Sequence, residues 1–442
     1  MNWLHRTFGS IREFLRPWYL RYFYFRAFPS RKPPYFEDCW QFPHTTIDQC
    51  GQLLDPPAPF SRDFLILPMT DWHTRIQRSQ FLAQTLAALG HRCFLLNPHL
   101  GREFRGSASG PPLLARISPN VYELHVRLPR EPVYHHRNLS ESESQILAGA
   151  VTELVASGDV SNLTQIVSFP LWLRLALTVK DRFPGALVYD CHDQLNGFEG
   201  VAPEIVALEQ ELVASSDLVI CSADSLREHC LGSGAAVDRC HVVKNAVSET
   251  LGQPGSGVAM HTGSDPVIGY LGALESWFDA SALRAAAIAR PNWRFVLVGR
   301  IESRSVRLLA DLPNVEFMGE IGRERVPEVL ARFDVATIPF LLNPLTVAAD
   351  PIKLYEYLSA GLPVVSSRLP ETERFAKFIH YYDAPADFVH AVEAALLDGD
   401  ESLRRQRRQA VKDETWEVRC RLLLDLTESL ALTPAVQSSL RA

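Results

Sequence analysis

No run of this sequence approaches the roughly 20 apolar residues that a membrane-spanning helix needs. A signal-peptide core followed by a small-residue cleavage site is also missing, so the expected setting is the cytoplasm. Basic excess is absent: 44 Lys and Arg stand against 51 Asp and Glu, for a formal net charge of -7. A nucleic-acid binder would show a basic domain or stripe. Nucleic acid is therefore not an expected partner, and any bound phosphate must be met by a few local groups. None of the eight cysteines (Cys39, Cys50, Cys93, Cys191, Cys221, Cys230, Cys240 and Cys420) has a C-x-x-C neighbour, the usual zinc or redox spacing. Cys93, Cys191 and Cys221 fall inside apolar runs that read as buried strands, where a free thiol behaves as a small hydrophobe. That pattern fits a reducing compartment, and no metal site is expected. Repeats and low-complexity tracts are lacking too, and 442 residues at 47% hydrophobic content suffice for two or three cores.

The first 36 residues stand apart from this ordinary composition. Arg6, Arg12, Arg16, Arg21, Arg26, Arg31 and Lys32 face Glu13 as the single acid, interleaved with Trp3, Phe8, Phe14, Trp18, Tyr19, Tyr22, Phe23, Tyr24, Phe25 and Phe28. A basic and aromatic segment without an apolar span suits the lipid headgroup region, where each basic residue contributes about 1 kcal/mol on an anionic surface. The same aromatics could instead pack on the body of the protein while the arginines reach outward. Residues 1–60 are set aside as this N-terminal segment, and a peripheral position on the inner face of the plasma membrane is one expectation for it.

From residue 62 onward, short apolar runs alternate with helical patterns, which indicates parallel sheets covered on both faces. Strands are expected at 63–69, 92–98, 165–168, 187–190 and 218–221, with helices at 75–89, 144–156, 171–180 and 203–214. The stretch 110–133 reads as an excursion with one hairpin. Periodicity stops after Asn245, and the Gly, Ser and Pro of 248–265 form a linker. A second series has strands at 267–271, 295–298, 315–318, 335–339 and 363–366. The division is thus 61–247, linker 248–265, 266–412, and a helix in 413–442 that crosses back to the first unit. Two Rossmann-like α/β units place a cleft at the carboxyl ends of both sheets.

The most informative stretch is DPIKLYEYLSAGLPVVSS, 350–367. Asp350 suits an N-cap, Pro351 the first helical position and Gly361 the stop, so a short helix leads into a buried strand. A helix start aimed into a crevice offers unpaired N–H groups and partial positive charge to an anion. Lys353 lies in that first turn and Glu356 shares its face. Lysine and helix end can hold a diphosphate, and the carboxylate can accept hydrogen bonds from ribose hydroxyls. A surface i, i+3 ion pair, worth a few tenths of a kcal/mol, is the plain alternative.

KLYEYLSAGLPVV resembles the donor-site helix and following strand of glycosyltransferase family 4 (group 1) and its GT-B relatives. VIGYLGALESWFD, WRFVLVGR, NVEFMGEI and DVATIPF resemble the donor-domain strands in the expected order, and DWHTRIQRSQFLAQTLAALGH and VYDCHD the acceptor-domain segments. The likeness spans most of 64–430 and implies the GT-B fold, two Rossmann-like domains facing each other across a cleft. It implies Glu356 as ribose ligand, Lys353 and Arg300 as diphosphate contacts, Gly272 as a point of close backbone approach, and 317–321 as the seat of the nucleobase. The family's Glu-x7-Glu pattern fails, because Ala348 stands eight residues before Glu356. Asn343 and Thr346 are the polar residues available in its place.

Tyr189-Asp190-Cys191-His192-Asp193 ends a strand on the cleft side, and Asp193, Asp190 or His192 could each serve as general base toward an acceptor hydroxyl. Trp72, His73 and Arg75 follow the first strand and are expected to contact acceptor. The function expected is transfer of a sugar from a nucleotide diphosphate sugar to a hydroxyl of a lipid-linked or polysaccharide acceptor, in cell-envelope polysaccharide biosynthesis. The helix dipole and Lys353 would take the role of a metal at the leaving diphosphate, and the nucleotide sugar is substrate, with no cofactor. A nucleotide-sugar epimerase of the same fold and a non-catalytic nucleotide-sugar-binding scaffold are the alternatives.

Overall fold

The computed structural model describes residues 39–101, 104, 110–128, 135–198, 201–247 and 265–439, with side chains to residue 430. The basic-aromatic stretch 1–36 and linker residues 248–264 lie outside the described residues.

Strands whose residues are buried on both faces read as continuous apolar runs, and the chain folds them into two largely parallel sheets. The first sheet holds β1 (His44–Thr46), β2 (Asp63–Leu67), β3 (Arg92–Leu96), β4 (Leu113–Ser118), β5 (Val121–His125), β6 (Leu163–Val167), β7 (Leu187–Cys191), β8 (Leu218–Cys221) and β9 (Cys240–Val242). Their spatial order is β1-β4-β5-β3-β2-β6-β7-β8-β9. β4 alone runs antiparallel to its neighbours, forming with β5 the hairpin expected in 110–133. Asn120 makes its turn at a φ of 61°, which asparagine tolerates better than most residues.

The second sheet holds β10 (Val267–Leu271), β11 (Arg294–Val298), β12 (Val315–Gly319), β13 (Val335–Ile338), β14 (Val364–Ser367) and β15 (Ile379–Tyr382), all parallel. Its order, β12-β11-β10-β13-β14-β15, reverses direction between β10 and β13. The first sheet reverses likewise between β2 and β6. Such reversals open a crevice beyond the strand ends, and both crevices contribute to one cleft.

A single apolar cluster fills the second unit, whereas the first sheet has a separate cluster on each face. One of these is completed from the far end of the chain. The helix Trp416–Ser439 packs on the helix Arg78–Ala88, with Trp416 stacked on Phe81 at 5.0 Å between ring centroids and Cys420 and Leu423 buried beside it.

Some elements differ from the sequence pattern. The helix expected at 75–89 begins only at Arg78, because Asp71 accepts hydrogen bonds from the N–H groups of His73 and Thr74 and holds 70–77 as a loop. The helix expected at 203–214 is two, Pro203–Val206 and Leu208–Ser215. The helix Asp224–Gly232 went unanticipated, since it buries only Leu226 and Cys230, too few positions to show a period. β1, β9 and β15, of three or four residues each, are likewise too short to show one.

Trp416→Ala should destabilise the protein by about 3–5 kcal/mol, the usual cost of emptying a large aromatic site. Urea unfolding followed by circular dichroism checks this. A loss under about 1 kcal/mol, the range of a surface change, would mean that the terminal helix does not complete the first unit's core.

Candidate active site

The cleft between the two units has a volume of about 1040 Å³ and takes residues from both. On the second unit's side its wall is the helix Ile352–Ser359. Pro351 is the capping residue and makes no side-chain cap, so the first N–H groups have no capping side-chain acceptor. Asp350, expected to be that cap, faces the other way. Its carboxylate accepts from the Asn245 N–H at 2.6 Å and from the Tyr355 hydroxyl at 2.9 Å. Burial pushes its pKa up to about 6, against the opposing Asn245 bond.

Lys353 and Glu356 both line the cleft. The Lys353 ammonium lies over Phe340 and Tyr270, 4.5 and 5.1 Å from their ring centroids. Burial lowers its pKa to about 8, with Glu356 opposing the shift and Arg75 adding to it. The space it occupies depends on Gly272, which has a φ of 145° and where a Cβ would stand 3.0 Å from Lys353 Cε. Gly299, at a φ of 140°, fits still more closely, because a Cβ there would meet the Gly272 carbonyl oxygen at 1.9 Å. Both strand ends therefore require glycine.

Glu356 is 4% exposed and pairs with Arg323 at 2.5 Å. Arg323 did not emerge from the sequence. Its guanidinium also lies 4.9 Å from the Phe81 ring of the first unit, a cross-unit contact without a local sequence signal. Arg300 lines the cleft, half exposed and paired with Glu302 at 2.6 Å. Glu320 and Ile321, which follow β12, line it as well. Asn343 does not line the cleft. It caps the short helix Pro344–Val347 by accepting from the Thr346 N–H at 3.0 Å, while Thr346 accepts from the Asn343 N–H. Ala348 ends that helix and is buried against the first unit's core. Its place carries apolar packing between units instead of a carboxylate.

On the first unit's side, the loop after β2 contributes Trp72, His73 and Arg75. His73 is tied back by its Nε2, 2.7 Å from the Glu123 carboxylate, which also meets His125 at 3.2 Å and the Asn97 amide at 3.0 Å. Burial alone would raise the Glu123 pKa, but His125 and His73 outweigh it and hold the carboxyl well below the usual range. Burial would likewise raise Asp71, and the bond from His99 leads the groups that lower it instead. Arg75 reaches across the cleft, 4.0 Å from Glu275 and 3.9 Å from Glu320 of the second unit. Although its sequence position groups it with the residues expected to contact acceptor, it faces the second unit.

Beyond β7, His192 and Asp193 line the cleft with 3.6 Å between His192 Nε2 and the Asp193 carboxylate. Partial burial pushes the Asp193 pKa up, and the nearby Asp190 adds to the shift. Asp190 itself is fully buried and bonded to Arg78 at 2.8 Å, out of reach of a substrate in the cleft. It is therefore corrected from candidate base to a residue that positions the loop.

Residues 265–398 match the family model described as glycosyl transferases group 1. A 263-residue region is 28% identical to a putative teichuronic acid biosynthesis glycosyltransferase, TuaH, of Bacillus subtilis (strain 168), covering 54% of this chain and 66% of that one. The matched region thus spans just under two thirds of that relative's length. Among solved structures, sucrose-phosphate synthase from Thermosynechococcus elongatus superposes with a TM-score of 0.65 at 14% identity, over 84% of this chain and 100% of its own. The Anabaena protein HepE, solved with UDP and glucose, gives a TM-score of 0.55 at 14% identity over 85% and 100%. The two facing sheets have the GT-B fold of these structures, and the second unit is similar to group 1 glycosyl transferases.

Proposed function

We propose that the protein transfers a sugar from a nucleotide diphosphate sugar to a hydroxyl of a lipid-linked or polysaccharide acceptor. The observation that carries this reading is one helix presenting open N–H groups, Lys353 and the buried carboxylate of Glu356 to a cleft closed by the opposite unit. The diphosphate would meet the helix start and Lys353, with Arg300 and Arg75 nearby. Ribose hydroxyls would donate to Glu356, held in place by Arg323. These cationic and N–H groups can stabilise the leaving diphosphate without a metal ion.

Asp193 is the group best suited to accept the proton of the acceptor hydroxyl, since it faces the cleft and its raised pKa moves it toward the basicity a general base needs. His192 beside it can share that proton. The family match names transfer, so the epimerase and scaffold alternatives give way to it. TuaH, by its name, serves teichuronic acid biosynthesis, which supports a cell-envelope polysaccharide as the acceptor class. No helix among the described residues is long and apolar enough to cross a membrane. Contact with a lipid-linked acceptor would then fall to the basic-aromatic stretch 1–36.

Donor binding should depend on pH through Lys353. Its free pKa of about 8 would rise beside a bound diphosphate, so binding takes up a proton and weakens as pH increases through 8. Calorimetric titration with UDP and with ADP, above pH 8 in buffers of differing ionisation enthalpy, should show that uptake, and Lys353→Met should abolish it. In the same assay Glu356→Ala should cost about 1.5–3 kcal/mol of affinity. Buffer-independent heats and an unaltered Kd in folded variants would remove both residues from the donor site.

Asp193→Asn should abolish transfer while leaving donor affinity within about twofold, roughly 0.4 kcal/mol. Near-normal turnover would shift the proton-accepting role to His192 or to a mechanism without a protein base. Removing residues 1–36 should release the protein from vesicles rich in anionic lipid, with the full-length chain binding them more strongly at low salt. A full-length chain that stays in solution with such vesicles would assign the segment to packing or to a protein partner.

A further inference from the structure

Seven cysteines among the described residues are buried and unpaired by disulfides. Three of them converge: the sulfurs of Cys191, Cys221 and Cys230 all lie within 4.8 Å of one another. Each comes from a different element. Cys191 ends β7, Cys221 ends β8, and the parallel register sets them side by side. Cys230 descends from the helix Asp224–Gly232. The surroundings are not purely apolar. The buried Glu209 carboxylate stands 4.0 Å from Cys191 Sγ, held by the Tyr189 hydroxyl at 2.5 Å and facing His229 Nε2 at 3.0 Å. His229 partners that carboxylate, so what distinguishes this spot is the convergence of three buried sulfurs from three elements.

We propose that this cluster binds a thiophilic d10 cation of the Zn(II) type through the Cys191, Cys221 and Cys230 thiolates. A tetrahedral zinc with Zn–S bonds of about 2.3 Å needs sulfurs roughly 3.8 Å apart, so the side chains here must close by no more than about 1 Å. Three Zn–S bonds form as three thiol protons leave to solvent, and the hydrated ion sheds its waters except one at the fourth position, with no change of oxidation state. The ion would be structural. It would pin β7, β8 and the covering helix together immediately before His192 and Asp193, at the acceptor wall of the cleft. The proposal is independent of the transfer reading.

The sulfurs are buried, so the ion would enter during folding or a local opening. Protein purified without a polyhistidine tag or chelator should carry stoichiometric zinc by elemental analysis. Metal-stripped protein refolded with Cd(II) alone should develop a thiolate-to-metal charge-transfer band and a raised Tm. Cys221→Ala and Cys230→Ala should each lose the band, and Cys420→Ala, outside the cluster, should keep it. Where a variant fails to fold, thiol alkylation mapped by mass spectrometry in the wild-type chain decides instead, with metal expected to protect these three cysteines selectively. The proposal is overturned if refolded wild-type protein shows neither band nor protection. It is overturned equally by a band that survives in Cys221→Ala, or by a disulfide joining two of the three.

Discussion

The buried guanidinium of Arg78 is the charge on which the cleft depends. Its Nε donates to Asp190 at 2.8 Å and its Nη1 to the Asn245 side chain at 3.0 Å. Asn245 in turn donates from its backbone N–H and its amide to Asp350, both at 2.6 Å, and Asp350 receives the Tyr355 hydroxyl of the donor helix. One chain of bonds therefore runs from the loop of His192 and Asp193 to the start of the helix that carries Lys353 and Glu356. Leaving either buried charge of this chain, Arg78 or Asp190, without its partner would cost several kcal/mol. The relative placement of the two walls follows from that constraint.

The walls are held by different means. On the donor side, close backbone approach does the work: Gly272 and Gly299 leave room for Lys353, and the uncapped helix start is directed at the same space. The acceptor side instead relies on buried carboxylates. Asp71 and Glu123 hold the loop after β2 through His99, His73 and two backbone N–H groups. Under the proposed function this wall would meet the nucleoside diphosphate. A loop braced from behind by ion pairs can change its exposed residues without losing its position.

Contacts across the units explain why a recognisable motif can lack one of its carboxylates. Ala348 and Ile352 pack against the first unit's apolar clusters, and Gly197 admits Leu345 so closely that a Cβ would fall 2.7 Å from it. A carboxylate at 348 would be desolvated in this packing. The interface has taken over a position that the family pattern assigns to ligand.

The longer strand runs, the hairpin in 113–125, the donor helix and the placing of Lys353 and Glu356 on one face were legible in the sequence, because each rests on local periodicity or spacing of a few residues. The two-unit arrangement followed from the same pattern. What stayed hidden involves partners far apart in the chain. Arg323 meets Glu356 and Phe81, Asp350 binds Asn245 rather than its own helix, and Asp190 is withdrawn to Arg78. Cysteines at 191, 221 and 230 show no ligand spacing, yet parallel register and one covering helix bring their sulfurs together. Sequence periodicity decides which face of an element is buried, since that depends on solvation along a single segment. Which buried groups meet depends on register and on packing between segments, and only the folded chain decides that.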